Sequence, residues 1–436
     1  MKHRSSIILV AILSLCFAAA SVLNIAVKGD SYTQTYPAVV CPPTLSGLNS
    51  QISVSSRNTQ YQRLENRSSK TIPFKVLRFP VSKDSLVISA EGVTPLVWQS
   101  RPGSWAGGAV CSGPTASQWF VGGTANVTTR GHLILTNSGL SDAIVDIQSY
   151  SENGKQPLKS VNLKSKSAMQ LSLDSLAPGD KSLAVQVTPR SGRVNAFMID
   201  EQGAGLRALG GDFVNPFANA TRSIVIPAVP NQLPKKGQTT SSAHTLRVLT
   251  PGDVSTSITV EILSADGRFI PVGLSSRAID AGVVTEFDLT PKISASAFAV
   301  RITAQEPIVA SISSSVTIKG HKDFVWSTAA PELTPMTLAV TGLSPLISFA
   351  GDAIEVRVEA KLINGKVVHA NIKGSDIATW RVPANARSFT IVISSKQTYA
   401  GALIASDNGY GYIPVLSGSV LTKVEVPNSN IRVLNP

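Results

Sequence analysis

The sequence predicts an all-β protein: tandem immunoglobulin-like β-sandwich repeats after an N-terminal transmembrane helix. Three observations carry this. A block that runs from alternating apolar residues into Asn-Gly or Asp-Gly occurs three times. The composition favours strands. A basic tip precedes an apolar run of membrane-spanning length.

The clearest copy of the block is His132 to Lys155, HLILTNSGLSDAIVDIQSYSENGK, which reads as two strands of one sandwich with turns at Asn137-Ser138-Gly139 and Glu152-Asn153-Gly154. A second copy is HTLRVLTPGDVSTSITVEILSADGR at 244–268, and a partial third is DAIEVRVEAKLINGK at 352–366. Asn-Gly and Asp-Gly after alternating apolar residues are the strongest short hairpin signal. The spacing holds further along. Gly154 and Gly267 are 113 residues apart, and Ala184–Thr188 precedes Ala299–Thr303 by 115. Phe298–Ile302 and Phe389–Ile393 are 91 apart. Copies of about 100 residues with about seven short strands match an immunoglobulin-like sandwich in size, without the Cys-Trp-Cys arrangement of antibody domains. The Pro-bearing strands Ile224–Pro230 and Tyr412–Val415 suit sheet edges between domains.

The chain has 436 residues, room for about three domains. Charged residues make up only 15%, and long Ala/Glu/Lys helical patterns are absent, which fits an exported β protein. The expected organisation is a basic tip and signal anchor at 1–28, a linker and N-terminal β segment at 29–118, repeats at 119–222, 223–322 and 323–418, and a C-terminal strand or tail at 419–436.

Lys2, His3 and Arg4 precede an apolar run from Ile7 to Val27. Twenty-one residues span about 30 Å of hydrocarbon, and the basic flank stays cytoplasmic. The expectation is a single-pass membrane protein with an extracytoplasmic body. Cleavage after Ala18-Ala19-Ala20 would make it secreted instead. Cys41 and Cys111, the two cysteines of the exported part, are expected to pair in an oxidising compartment.

The net charge of +12 is uneven. The segment 57–83 holds Arg57, Arg63, Arg67, Lys70, Lys75, Arg78 and Lys83 against one acid, Glu65, whereas the repeats are nearly balanced. These seven residues are the candidate polyanion-binding site, and a solvated face is the competing reading. Trp105 beside Gly107-Gly108, and Trp119 beside Gly122-Gly123, read as core and disulfide cover, with a sugar-stacking platform as the alternative.

Trp119-Phe120-Val121-Gly122-Gly123, Leu133–Asn137, Leu209-Gly210-Gly211-Asp212-Phe213-Val214-Asn215-Pro216 and Ile224–Pro230 together resemble an actinobacterial family of exported proteins, domain of unknown function 5719. The resemblance spans about residues 37–416. It implies an N-terminal anchor and an envelope location, and no activity or catalytic residue.

No catalytic constellation emerges. There is no HExxH and no zinc-spaced cysteine pair. Gly103-Ser104-Trp105-Ala106-Gly107 puts Trp where a nucleophile elbow needs Ser. Gly203-Ala204-Gly205-Leu206-Arg207-Ala208 matches a dinucleotide fingerprint without a βαβ unit around it. His132 and His244 fall at equivalent repeat positions, as structural residues at strand starts. No cofactor, metal or nucleic-acid partner is expected. The expected function is a non-enzymatic, membrane-anchored envelope scaffold or binding module for anionic envelope polymers or envelope proteins. An enzyme, or an accessory subunit, of envelope glycan metabolism is the alternative.

Overall fold

The computed structural model describes residues 10–15, 32–35, 38–54, 58–66, 68–89, 92–204, 207–233, 243–419 and 424–427. Among the described residues the regular secondary structure is strand, apart from a helical stretch at 10–15 and the 3-10 turn Leu173–Ser175. Among them no helix is long and apolar enough to cross a membrane. Most of the expected anchor, residues 7–27, lies outside the described residues. The chain divides into two units, 1–36 with 423–436, and 37–422. The smaller contains an antiparallel ribbon of Tyr32–Thr35 and Val424–Pro427.

The larger unit holds four sandwiches. The first comprises β1 (Val39–Cys41), β2 (Asn49–Ser53), β3 (Thr59–Arg63), β4 (Ser69–Ile72), β5 (Arg78–Pro80), β6 (Leu86–Ile88), β7 (Leu96–Arg101) and β8 (Trp105–Val110). The second comprises β9 (Gln118–Val121), β10 (His132–Asn137), β11 (Ala143–Ser151), β12 (Lys159–Leu163), β13 (Ser167–Ser172), β14 (Leu183–Pro189), β15 (Val194–Ala204) and β16 (Arg207–Val214). The third has β17 (Thr221–Pro230), β18 (His244–Leu249), β19 (Thr256–Ser264), β20 (Arg277–Ile279), β21 (Thr285–Leu289), β22 (Ala297–Ile318) and β23 (His321–Thr328). The fourth has β24 (Met336–Ala339), β25 (Leu346–Leu362), β26 (Val367–Arg381), β27 (Ala386–Ser394), β28 (Tyr399–Ala405) and β29 (Tyr410–Pro414).

All four share one topology. One sheet has the strand order first-sixth-third-fourth, and the other fifth-second-seventh-eighth. In the second sandwich these are β9-β14-β11-β12 and β13-β10-β15-β16. In the third, β22 is long enough to supply both the sixth and the seventh strand. In the fourth, β25 serves as second and third, and β26 as fourth and fifth. The three sequence repeats are the second, third and fourth sandwiches. The structure adds that residues 39–110, read from the sequence as linker and β segment, form a shorter sandwich of the same order.

This order departs from the immunoglobulin one, in which strand A lies beside B and G beside F. Here the first strand pairs with the sixth, and the seventh with the second. The immunoglobulin pairs second-fifth and third-sixth are kept.

The repeat motif explains the local structure. Ala143, Val145 and Ile147 on β11, Ile258, Val260 and Ile262 on β19, and Ile354, Val356, Val358 and Ala360 on β25 are buried, while the residues between them face outward or sit half-buried. A period of two buries one face of each sheet. Gly154, Gly267 and Gly365 follow at positive φ, +102°, +114° and +87°, where a side chain would be strained. The facing sheets of each sandwich enclose its own apolar core.

The sandwiches close into a ring. Val40, Leu48, Trp105 and Ala109 pack on Ile134, Phe197 and Phe213 between the first and second. Trp119, Tyr150 and Ala184 meet Leu249 and Val309 between the second and third. Val225, Leu263 and Ala299 meet Ala350 between the third and fourth. Leu96, Trp98, Ala106 and Val110 of the first enter the core of the fourth, and Val93–Thr94 pairs in parallel with β24. Trp105 and Trp119 are therefore buried, and no sugar-stacking platform is formed by either.

Candidate functional site

The eighth strands β8, β16, β23 and β29 are the innermost of the four sandwiches. They pack in cyclic order, β8 on β16, β16 on β23, β23 on β29 and β29 on β8. Each pairs along one edge only, so its second edge needs other partners for its backbone groups. Side chains supply several of them. Asn215, just past β16, donates to the carbonyls of Gly108 on β8 at 3.1 Å and Tyr412 on β29 at 3.0 Å.

Three aspartates converge at this hub. Asp212 on β16 accepts the Trp326 amide of β23 at 3.0 Å, and Asp323 on β23 accepts the Gly211 amide of β16 at 3.0 Å. Each also accepts the amide of the following residue, Phe213 at 2.8 Å and Phe324 at 2.9 Å. Asp200 on β15 lies directly across from Asp212 in the ladder and accepts the Trp326 indole N–H at 3.0 Å and the Gln202 amide at 2.9 Å. Asp200 and Asp212 are wholly buried and Asp323 nearly so.

Register explains why the two carboxylates face each other's strands. Val325 pairs with Ser314, the residue opposite His244. Phe213 pairs with Ile199, the residue opposite His132. Asp212 therefore lies one residue before this level and Asp323 two. Because side chains alternate along a strand, a one-residue offset points them to opposite faces of their sheets. Asp212 is aimed forward at the third sandwich and Asp323 back at the second.

Glycines make room for this packing. A side chain on Gly107 would collide with Asp212, one on Gly210 with Asp323, and one on Gly211 with the Trp105 ring. Burial pushes the carboxyl pKa of all three aspartates up: Asp323 to about 7, and Asp212 well above the usual range with added repulsion from Asp323 and Asp200. The Arg247 guanidinium stacks 4.8 Å above the Trp326 ring. It donates to the Gly123 and Leu183 carbonyls at 2.7 and 3.0 Å and pairs with Glu286 at 2.8 Å.

A cavity of about 40 Å³ beside the hub is lined by Phe197, Phe213, Pro216 and Pro414 among others, room for about one water. Among the described residues no group of three His, Cys, Asp or Glu could hold a metal ion. What the hub does chemically is accept amides across sandwich boundaries.

The residues expected from the sequence lie elsewhere. Cys41 and Cys111 form a disulfide that joins β1 to the residue after β8. Arg57 and Arg67 lie outside the described residues. Lys70, Lys75 and Lys83 are exposed, on β4 and in the loops before and after β5. Arg63 hydrogen-bonds Ser82 and lies 3.6 Å from Asp84. Arg78 is half-buried with its stem against Gly342 of the fourth sandwich, and burial lowers its pKa. Of the five described residues, three are thus exposed, while Arg63 and Arg78 are partly buried against neighbouring groups. His132 and His244 open β10 and β18. His132 Nδ1 lies 2.7 Å from the Arg130 carbonyl and His244 Nδ1 2.9 Å from Ser314 Oγ.

The hub aspartates were missed as candidates. A signal was present in the Asp-Phe-Val triplets at 212–214 and 323–325, 111 residues apart and so near the repeat offset. A family model described as a family of unknown function (DUF5719) matches residues 97–372. No curated protein matches the chain. A solved structure, the crystal structure of Thermotoga maritima 1070, is similar at 16% identity and a TM-score of 0.22, covering 24% of this chain and 95% of that one.

Proposed function

The chain belongs to this family of unknown function, and we propose that it serves as a non-enzymatic, membrane-anchored scaffold of the cell envelope, with modules that are variants of the immunoglobulin sandwich. The observation that carries this reading is the use of the hub carboxylates. This buried cluster of carboxyls accepts strand amides across a module boundary, which is a structural task. A general acid or base needs a place where a substrate proton can reach it, whereas the three carboxyls are buried and none of them lines the cavity beside the hub.

The anchor and the extracytoplasmic placement rest on Lys2, Arg4 and the apolar run after them. The Cys41–Cys111 disulfide supports an oxidising compartment. Exposed Lys70, Lys75 and Lys83 would draw the ring to anionic envelope polymers by their field, each adding about 1 kcal/mol near a charged surface and less as salt rises.

Crosslinking in intact envelope, followed by pull-down, tests the scaffold reading together with protease shaving of spheroplasts. The expected result is a shaved body and a reproducible set of envelope proteins or wall polymers. A body protected in spheroplasts, or turnover of a glycan substrate by the purified protein, overturns it.

A further inference from the structure

We propose that Asp200, Asp212 and Asp323 form a proton-operated latch between the second and third sandwiches, closed while the cluster holds a proton and loosened when it loses it. Three carboxyl groups share one dry site. Asp200 and Asp212 are directly opposed on β15 and β16, an arrangement that repels when both are charged. Asp323 joins them from β23, which is bonded to β16 through these side chains rather than through a ladder. Among the described residues Asp200 Oδ1 and Asp323 Oδ2 are buried without a well-formed hydrogen bond, although the Thr124 amide favours ionised Asp200 and the Tyr410 amide ionised Asp323. A buried carboxylate with a poorly bonded oxygen is costly as an anion and much less so with a proton on it.

The groups facing the cluster leave its charge uncompensated. From β18 comes Arg247, close enough to Asp200 to favour its charge but already paired with Glu286. From β29 come Tyr410 and Tyr412, whose hydroxyls burial keeps protonated. The Tyr410 amide favours ionised Asp323. Strand β8 offers Trp105 and glycines, and Arg101 on β7 is bound to Glu201 at 2.6 Å. Three anions against one shared cation would push β16 from β23, and a retained proton removes that repulsion. The raised pKa of all three carboxyls agrees with this.

The test is hydrogen exchange on the full-length protein at about pH 5.5 and about pH 8.5, either side of the range of a buried carboxyl, with intrinsic rates corrected. Peptides covering 207–214 and 321–328 should lose protection about tenfold or more at the higher pH, as one retained proton across one unit of pH requires. In the Asp212→Asn/Asp323→Asn protein the loss should vanish, because amides stay neutral. Equal protection of the wild type at both pH values, or a pH dependence that survives in the variant, overturns the latch. Should the variant fail to fold, infrared spectra of the wild type decide. A protonated-carboxyl band present at the lower pH and gone at the higher one is expected, and a fully ionised set at the lower pH refutes it.

Discussion

Asp212 and Asp323 exchange amides: each carboxylate accepts a backbone N–H from the strand that carries the other. Two innermost strands from different sandwiches are thus joined without a backbone ladder. Asp212 uses both oxygens, Oδ2 for the Trp326 amide and Oδ1 for the Phe213 amide, so Asn keeps one acceptor and Ala keeps none. Asp212→Asn should therefore lose one of the two amide bonds and be destabilised, though less than Asp212→Ala. Asp212→Ala leaves both the Trp326 and the Phe213 amide without this acceptor, at about 1–3 kcal/mol for each lost partner. Thermal unfolding of the two variants checks this, and equal losses would show that the acceptor oxygen is irrelevant.

Gly409 precedes β29 at the point where the fourth sandwich meets the first. A methyl group there would run into the Ala106 amide and crowd Asp323. The obstacles include backbone, which cannot swing aside as a flexible side chain can. Gly409→Ala should destabilise the ring by about 1–3 kcal/mol or more, the range for overpacking. Gly252→Ala, where a methyl group meets nothing within 4 Å, is the control, and matching midpoints for the two would argue against a tight hub.

The disulfide closes a separation of 70 residues across the first sandwich, from β1 to the end of β8. On the chain-entropy account its removal costs about 4 kcal/mol. Cys41→Ser/Cys111→Ser should therefore unfold at markedly lower denaturant, with the first sandwich affected most because its core is the smallest of the four. Peptide mapping of exported protein that finds both thiols free would remove the premise.

How much of this was legible depends on the range of the interaction. The alternation along β11, β19 and β25 and the turns at Gly154, Gly267 and Gly365 are local, so the repeat could be read directly. The first sandwich escaped notice because its strands are short, three residues in β1, β5 and β6, too few to display a period. The cysteine pair was readable by elimination. The hub was not, because Asp212 and Asp323 meet only after two sandwiches pack and differ by one residue in register, which no single-strand pattern reveals. The basic segment was seen as a charge run, but Arg63 and Arg78 face Asp84 and Gly342, contacts fixed by tertiary structure.

His244 lies buried against Ser314 and edge-on to Phe298, and burial lowers its pKa to about 4. The folded state thus holds the neutral ring, while the unfolded chain takes a proton near pH 6.5. The stability this contributes is complete above about 6.5 and is lost as pH falls through about 4, amounting to about 3 kcal/mol. Asp323, with its raised pKa, acts in the opposite direction over an overlapping range, so the two must be separated by variant. His244→Gln should lose less stability on acidification than the wild type. Parallel pH–stability curves would assign the acid sensitivity elsewhere.

Arg247 is the cation that ties the third sandwich to the second. Its guanidinium donates to the Gly123 and Leu183 carbonyls, pairs with Glu286 and covers the Trp326 ring. Lys offers a compact ammonium that cannot bridge two carbonyls and a carboxylate while stacking on an indole. Arg247→Lys should therefore be destabilising, and Arg247→Met more so, because the two buried carbonyls then lose their donor, at about 1–3 kcal/mol for each. The loss should be local to one junction. Hydrogen exchange should rise around Gly123, Leu183 and Trp326 while the core of the fourth sandwich, at Phe349 and Phe389, stays protected. Uniform loss of protection would mean that the ring opens as one unit, and loss confined to the third sandwich that Arg247 does not couple the two.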